Sequence, residues 1–168
     1  LNTLYVLLSD GRLYQKGTKD RDFRLHPLSD LLQVNDPLGS LFVEEDGDCW
    51  LGGLGTLWFY DARERSMTDY DATVRQLTKN ICNYRQIMRD RSGAVWIASD
   101  FGAIKITRSE QLFSNYLSGG SEYCSNIYCS TRGITEDSAG NIYVSYYNSI
   151  HVIDPISNGV RPLFPTNA

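Results

Sequence analysis

Four copies of one pattern, spaced 45, 46 and 47 residues apart, run through this chain of 168 residues. The anchor aromatics are Tyr5, Trp50, Trp96 and Tyr143. Nine residues before the last three stand Leu41, Ile87 and Ile134, each followed three residues later by an acid, Glu44, Asp90 or Asp137, and then by a glycine, Gly47, Gly93 or Gly140. A fixed period of about 40 to 50 residues built from strand-like segments is the signature of a β-propeller, in which four-stranded sheets are arranged as blades around a channel. The expected fold is therefore all-β: a propeller fragment of about four blades of four antiparallel strands.

One repeat reads as four short strands, A to D from the channel outward. Strand A covers Ser40 to Glu44, Gln86 to Asp90 and Gly133 to Asp137. It turns into strand B through Glu45-Asp46-Gly47-Asp48, Arg91-Ser92-Gly93-Ala94 and Ser138-Ala139-Gly140-Asn141, where glycine suits a positive φ. The aligned acids are explained by turn chemistry, because a carboxylate beside a tight turn accepts backbone N–H bonds. Strand B reads Cys-Trp-Leu-Gly-Gly, Val-Trp-Ile-Ala-Ser and Ile-Tyr-Val-Ser-Tyr, with few polar positions, which is the pattern of a strand buried on both faces. Gly52, Ala98 and Ser145 share one slot two residues past the aromatic, where close approach of neighbouring sheets is expected; Leu7 departs from it in the first copy.

The turn from B to C carries Gly11, Gly55, Gly102 and Asn148, residue types that tolerate a left-handed backbone. Strand C follows at Leu13, Leu57, Ile104 and Ile150. Strand D, the least regular, is placed around Phe23 to Leu25, Thr68 to Tyr70, Phe113 to Tyr116 and Val160 to Phe164, with Pro162 suited to an outer edge. The blades are expected at about 1–38, 39–84, 85–130 and 131–168. The first copy enters at strand B, so the sequence reads as a piece of a larger protein whose first blade is incomplete. Closed propellers carry about four to eight whole blades. An open arc leaves sheet faces and strand edges uncovered, and self-association through those flanks is expected.

Composition narrows the class. Hydrophobic residues make up 42% of the chain and charged residues 21%, enough for a buried core, and the formal charge of −4 is spread without long runs. A nucleic-acid partner is not indicated, since the basic stripe that would meet a phosphate backbone is missing. No apolar run approaches the roughly 20 residues of a membrane span. The four cysteines, Cys49, Cys82, Cys124 and Cys129, lack the paired spacing of a zinc or redox site. Cys49 reads as a small buried hydrophobe; Cys124 and Cys129 share one loop, where a local disulfide is open if the compartment is oxidising. No cofactor and no metal are implied.

The acid, the glycine, the Trp-Ile or Tyr-Val pair and the glycine-rich turn after it together resemble the two-component regulator propeller repeat. The motif stands at positions 87 to 104 as Ile-Met-Arg-Asp-Arg-Ser-Gly-Ala-Val-Trp-Ile-Ala-Ser-Asp-Phe-Gly-Ala-Ile, with diverged copies at 41 to 57 and 134 to 150. The last copy has Tyr143 for tryptophan and Asn148 for glycine. This resemblance implies a periplasmic sensor region of a membrane-bound hybrid histidine kinase, of the kind found in bacteria that degrade polysaccharides. It also implies that this segment is not itself an enzyme.

The loops from B to C and from D to the next A leave a propeller on one face, where recognition is usually placed. There the chain presents Ser99, Asp100 and Phe101, Ser145, Tyr146 and Tyr147, and Asn80, Asn83, Tyr84 and Arg85, with Tyr123, Asn126, Tyr128 and Arg132 in the next connection. Rings and directional hydrogen-bonding groups together suit an oligosaccharide. The candidate ligand-binding residues are Arg85, Asp100, Phe101, Arg132, Tyr146 and Tyr147. The aligned Arg85 and Arg132 could converge on an acidic sugar or carboxylate, or cap turns and pair with neighbouring acids. One of Tyr146 and Tyr147 must face an adjacent blade. His26 and His151 have no nucleophile motif or metal spacing beside them, so no catalytic residue is assigned. The alternatives to a sensor are a protein-interaction scaffold and, less favoured, a propeller glycan lyase or hydrolase.

Overall fold

A computed structural model describes residues 3–32, 38–107, 112–117, 130–147 and 149–164. It shows four antiparallel sheets, each a meander whose strands pair in chain order, stacked side by side as propeller blades. Blade 1 has three strands, β1 (Thr3–Leu7), β2 (Leu13–Gly17) and β3 (Arg24–Leu25). Blade 2 has β4 (Leu38–Val43), β5 (Cys49–Gly53), β6 (Thr56–Asp61) and β7 (Ser66–Asp69). Blade 3 has β8 (Tyr84–Arg89), β9 (Val95–Ser99), β10 (Gly102–Thr107) and β11 (Leu112–Tyr116). Blade 4 has β12 (Gly133–Glu136), β13 (Ile142–Ser145), β14 (Ile150–Ile153) and β15 (Val160–Pro162). Among the described residues the first blade shows no counterpart of the inner strand that opens the other three, in line with the repeat alignment.

Side-chain alternation along the second strand of each blade builds the cores. Cys49 and Leu51 face back toward blade 1 and pack with Leu13 and Tyr60, whereas Trp50 between them faces forward and packs with Val95 and Ile97 of blade 3. One blade later Trp96 faces forward in turn, onto Ile142 and Val144 of blade 4. Trp50 and Trp96 therefore occupy equivalent surroundings, and both are buried. Burying each aliphatic side chain of these three inter-blade layers contributes about 1.5–3 kcal/mol relative to leaving it in water. No strand buried on one face alone would need so apolar a sequence.

The inner strands are tied to one another by polar bonds as well. Ser40 Oγ donates to the Tyr84 carbonyl at 3.0 Å, linking β4 to β8. The Gln86 amide then spans β8 and β12, donating to the Ile134 carbonyl at 2.9 Å while its oxygen accepts the Ile134 N–H at 3.0 Å. Gly52 marks the close approach expected of its slot: a Cβ there would lie 2.4 Å from Ser40 Oγ and 2.8 Å from Tyr84 Cβ. At the hairpins from A to B, Gly47, Gly93 and Gly140 have φ of +95°, +89° and +89°, and the N–H of each bonds the carbonyl of the aligned acid.

Boundaries and connections differ from the sequence reading in several places. The inner strands of blades 2 and 3 begin two residues earlier than expected, because a β-bulge lets pairing with β5 and β9 extend to Leu38 and Tyr84. The outer strand of blade 2 ends at Asp69 instead of Tyr70, and a helix, α1 (Asp71–Thr78), fills the connection to blade 3. Val74, fully buried, anchors α1 to the core between blades 2 and 3. Asp69 accepts the Asp71 N–H at 2.8 Å at its start, and Lys79 closes it in the left-handed conformation with φ of +60°. His26 follows β3 directly, its N–H bonding the Leu13 carbonyl at 2.8 Å, and its Nδ1 accepts the Leu28 N–H at 3.2 Å to cap a 3-10 turn over Pro27–Asp30. The outer strand of blade 4 stops at Pro162, short of the exposed Phe164. Among the described residues no helix is long and apolar enough to cross a membrane.

Candidate ligand-binding face

The turns β5–β6, β9–β10 and β13–β14, with α1 and the residues leading into β12, leave the blades on one side, the face expected to carry recognition. Arg85 sits at the bulge of β8, and its guanidinium embraces the Asp100 carboxylate, with Nε at 2.9 Å and the terminal nitrogen at 2.7 Å from Oδ1. Asp100 also accepts the Ser130 hydroxyl at 2.8 Å. This network joins two strands of blade 3 to the segment entering blade 4, and Arg85 is thereby engaged by an acid of its own blade. Thr131 reinforces the joint by giving both its N–H and its hydroxyl to the Ser99 carbonyl at 2.8 Å.

Phe101 lies partly buried against the core between blades 2 and 3, its N–H bonded to Ser99 Oγ at 3.2 Å and its carbonyl to Asn115 Nδ2 at 2.9 Å. Tyr146 turns into the core between blades 3 and 4, where its hydroxyl donates to the Leu117 carbonyl at 3.2 Å and its ring meets His151 edge-on at 5.3 Å. Burial pushes the Tyr146 phenol well above its ordinary range. Tyr147 points the other way and is 78% exposed. The Arg132 guanidinium carbon lies 4.1 Å from the centroid of the Tyr147 ring, a cation–π contact at the outer end of β12. Arg132 Nε is buried and has no hydrogen-bond partner among the described residues.

The six candidates thus divide. Arg85, Asp100 and Phe101 hold the blade 3 turn together and Tyr146 packs, while Arg132 and Tyr147 form a pair that opens to solvent. Of the other residues expected on this face, Asn80 donates from Nδ2 to the Thr78 carbonyl at 2.7 Å, closing α1, and Asn83 forms an isolated bridge with Leu54. Tyr84 is buried and its hydroxyl donates to Asp71 at 2.9 Å. Tyr123, Cys124, Asn126, Tyr128, Cys129 and Asn148 lie outside the described residues. A cleft of about 710 Å³ beside α1, lined by Gly55, Asp69, Asp71, Ala72, Arg75, Gln76 and Lys79, belongs to the same face. Sequence reasoning missed it because the helix that forms its wall was not foreseen.

The histidines and thiols are placed as structural groups. Burial lowers the pKa of both His26 and His151. Cys49 is fully buried, and burial first, then the nearby acids, pushes its thiol up to about 12. Cys82 is buried as well, and its thiol is shifted in the same direction. No group of three or more His, Cys, Asp or Glu side chains among the described residues is arranged to hold a metal ion.

No protein-family model matches the chain, and no curated protein sequence matches it. Solved structures do. The extracellular domain of BT3049 from B. thetaiotaomicron, assigned to a hybrid two-component system, is 17% identical with a TM-score of 0.74, over 96% of this chain and 21% of that one. The corresponding domain of BT4673 from the same organism is 16% identical with a TM-score of 0.72, over 96% and 20%. A catalytically inactive virginiamycin B lyase from Staphylococcus aureus, with quinupristin, is 15% identical with a TM-score of 0.64, over 97% and 55%. The chain spans about a fifth of the two-component domains and just over half of the lyase. Likeness at these identities establishes the fold.

Proposed function

We propose that this chain is a non-catalytic, ligand-binding part of an extracytoplasmic sensor, that its parent is a periplasm-facing hybrid histidine kinase, and that its ligands are glycan-derived oligosaccharides. The observation that carries the reading is the Arg132–Tyr147 pair: an exposed ring and an incompletely bonded guanidinium held together on the recognition face. An exposed aromatic offers its face to sugar C–H groups, and a guanidinium offers directional donors to hydroxyl or carboxylate oxygens. The repeat's resemblance to two-component propellers and the likeness to extracellular domains assigned to such systems support the same reading.

A lyase or hydrolase needs a proton-transfer group beside the ligand. Both histidines are instead taken into packing, and Asp100 is bound to Arg85 and Ser130. Calorimetric titration of the chain with a panel of oligosaccharides, followed by chromatography of the mixtures, tests the proposal. Saturable heat with the oligosaccharide recovered intact is expected. Cleaved products, or no heat with any member of the panel, would overturn it.

A further inference from the structure

We propose that Arg132 and Tyr147 form a subsite for the carboxylate of an acidic sugar, an inference that rests on the ligand-binding reading and adds the charge class of the ligand. The same two slots carry different residue pairs in successive blades. The first slot is two residues before the aligned Leu or Ile of strand A, and the second is four residues after the anchor aromatic. In blade 2 they hold Gly39 and Leu54, and no charge. In blade 3 they hold Arg85 and Asp100, which form an ion pair at 2.7 Å. In blade 4 they hold Arg132 and Tyr147, so a neutral ring stands where the neighbouring blade supplies the counter-ion.

The consequence is an arginine positioned as in an ion pair but, among the described residues, without the acid. Its Nε is buried and makes no hydrogen bond, which is costly for a charged donor unless something else supplies the acceptor. Among the described residues no carboxylate forms a salt bridge with it. A cation–π contact stabilises the charge but leaves the Nε donor without an acceptor among the described residues. The planar fork matches a carboxylate in two-point geometry, and a carboxylate is the group that Asp100 places against Arg85 one blade away. Tyr147, largely exposed, supplies an apolar surface next to that charge, as a pyranose ring bearing a carboxylate requires.

The test uses the full chain labelled with 15N and follows the side-chain Nε–H signal of Arg132 and the ring signals of Tyr147. Sodium D-glucuronate and D-glucose are added separately at matched ionic strength. A saturable shift with D-glucuronate, at an affinity on the order of millimolar for a single sugar unit, and none with D-glucose is expected. Equal responses to the two sugars, or none to either, would overturn the proposal. Arg132→Gln is expected to abolish the Tyr147 response, and Arg132→Lys, which keeps the charge above the ring but loses the fork, to weaken it at least about tenfold. An undiminished response in both variants would also overturn it. Oligosaccharide binding by calorimetry, with no Arg132 response to D-glucuronate, would remove this subsite and leave the sensor reading standing; no binding by any oligosaccharide, with the glucuronate shift present, would do the reverse.

Discussion

The Asp90 carboxylate accepts the indole N–H of Trp96 at 2.7 Å, six residues along the chain and across the hairpin that the two residues bracket. The same clasp recurs in the flanking blades, where Trp50 donates to Glu44 at 3.2 Å and the Tyr143 hydroxyl donates to Asp137 at 3.0 Å. In blades 2 and 3 the acid therefore fixes the anchor tryptophan whose ring fills the next inter-blade layer. In blade 2 the clasp extends further, since Glu44 also pairs with Arg89 of blade 3. Turn chemistry and core packing are joined in a single side chain.

Loss of that clasp is expected to destabilise the blade. Asp90 is buried, and besides Trp96 it accepts the Ala94 N–H at 2.9 Å and the Ser92 hydroxyl at 2.6 Å. Asp90→Asn keeps the shape but turns one acceptor into a donor facing another donor. Leaving a buried polar group unmatched is expected to lower stability by about 2–3 kcal/mol in urea denaturation. Asp137→Asn is expected to cost less, because that carboxylate is only half-buried and water replaces part of what is lost. Equal losses in the two variants would show that burial is not what gives the clasp its weight.

The repeat, the strand order and the two-sided burial were legible in the sequence because period and apolar content report directly on packing. The aligned acids were legible as turn residues, and their backbone bonds to Ala94, Ala139 and Asn141 match that reading. Their bonds to the rings were missed, although the constant six-residue spacing and the preserved donor at Tyr143 carried the signal. Helix α1 was missed because a stretch with one deeply buried apolar residue, Val74, leaves little periodicity to detect. The division among the candidate site residues was equally hidden. Arg85 and Arg132 are identical as letters, and what separates them is the residue in a second slot, Asp100 or Tyr147, some fifteen positions downstream.

Acid sensitivity should follow His26. Its ring sits between Tyr5 and Tyr60, at 6.1 and 6.0 Å, and its Nδ1 must be unprotonated to accept the Leu28 N–H. Burial holds its pKa below the ordinary value of 6.5, so the unfolded chain takes up this proton at a higher pH than the folded one. Stability contributed by the neutral ring is thus complete above that value and falls as pH drops through it toward the folded pKa. His151 is shifted in the same direction and adds to the trend. Denaturation midpoints measured between about pH 7.5 and 5 should decline in the parent chain. The decline should be shallower in His26→Gln; an identical slope would place the sensitivity elsewhere.

The open flank of blade 1 leads to a prediction about association. In blades 2, 3 and 4 the residues on either side of the anchor aromatic, Cys49 and Leu51, Val95 and Ile97, Ile142 and Val144, are all 0% exposed because the preceding blade covers them. Their counterparts in blade 1, Leu4 and Val6, are 60% and 37% exposed. An apolar sheet face of this kind is covered elsewhere in the chain by another blade, so a second copy offering a blade flank is the expected occupant. Light scattering across a concentration series should show self-association, and Leu4→Glu with Val6→Lys should suppress it. A monomer at high concentration would refute this.

The pairing in blade 3 can be undone to ask what it restrains. Asp100→Asn keeps an acceptor for Ser130 but removes the charge that neutralises Arg85, and the guanidinium, 28% exposed, lies on the same face as Arg132. A part-exposed ion pair contributes modestly, so a stability loss of about 1 kcal/mol is expected. The larger effect should be on anions. With a second uncompensated cation near the first, affinity for D-glucuronate should rise about 3- to 10-fold at low salt, and the gain should shrink as added salt screens the face. If the affinity is unchanged while the variant remains folded, Arg85 does not reach the ligand, and Asp100 serves to hold the β9–β10 turn to Ser130 and the start of blade 4.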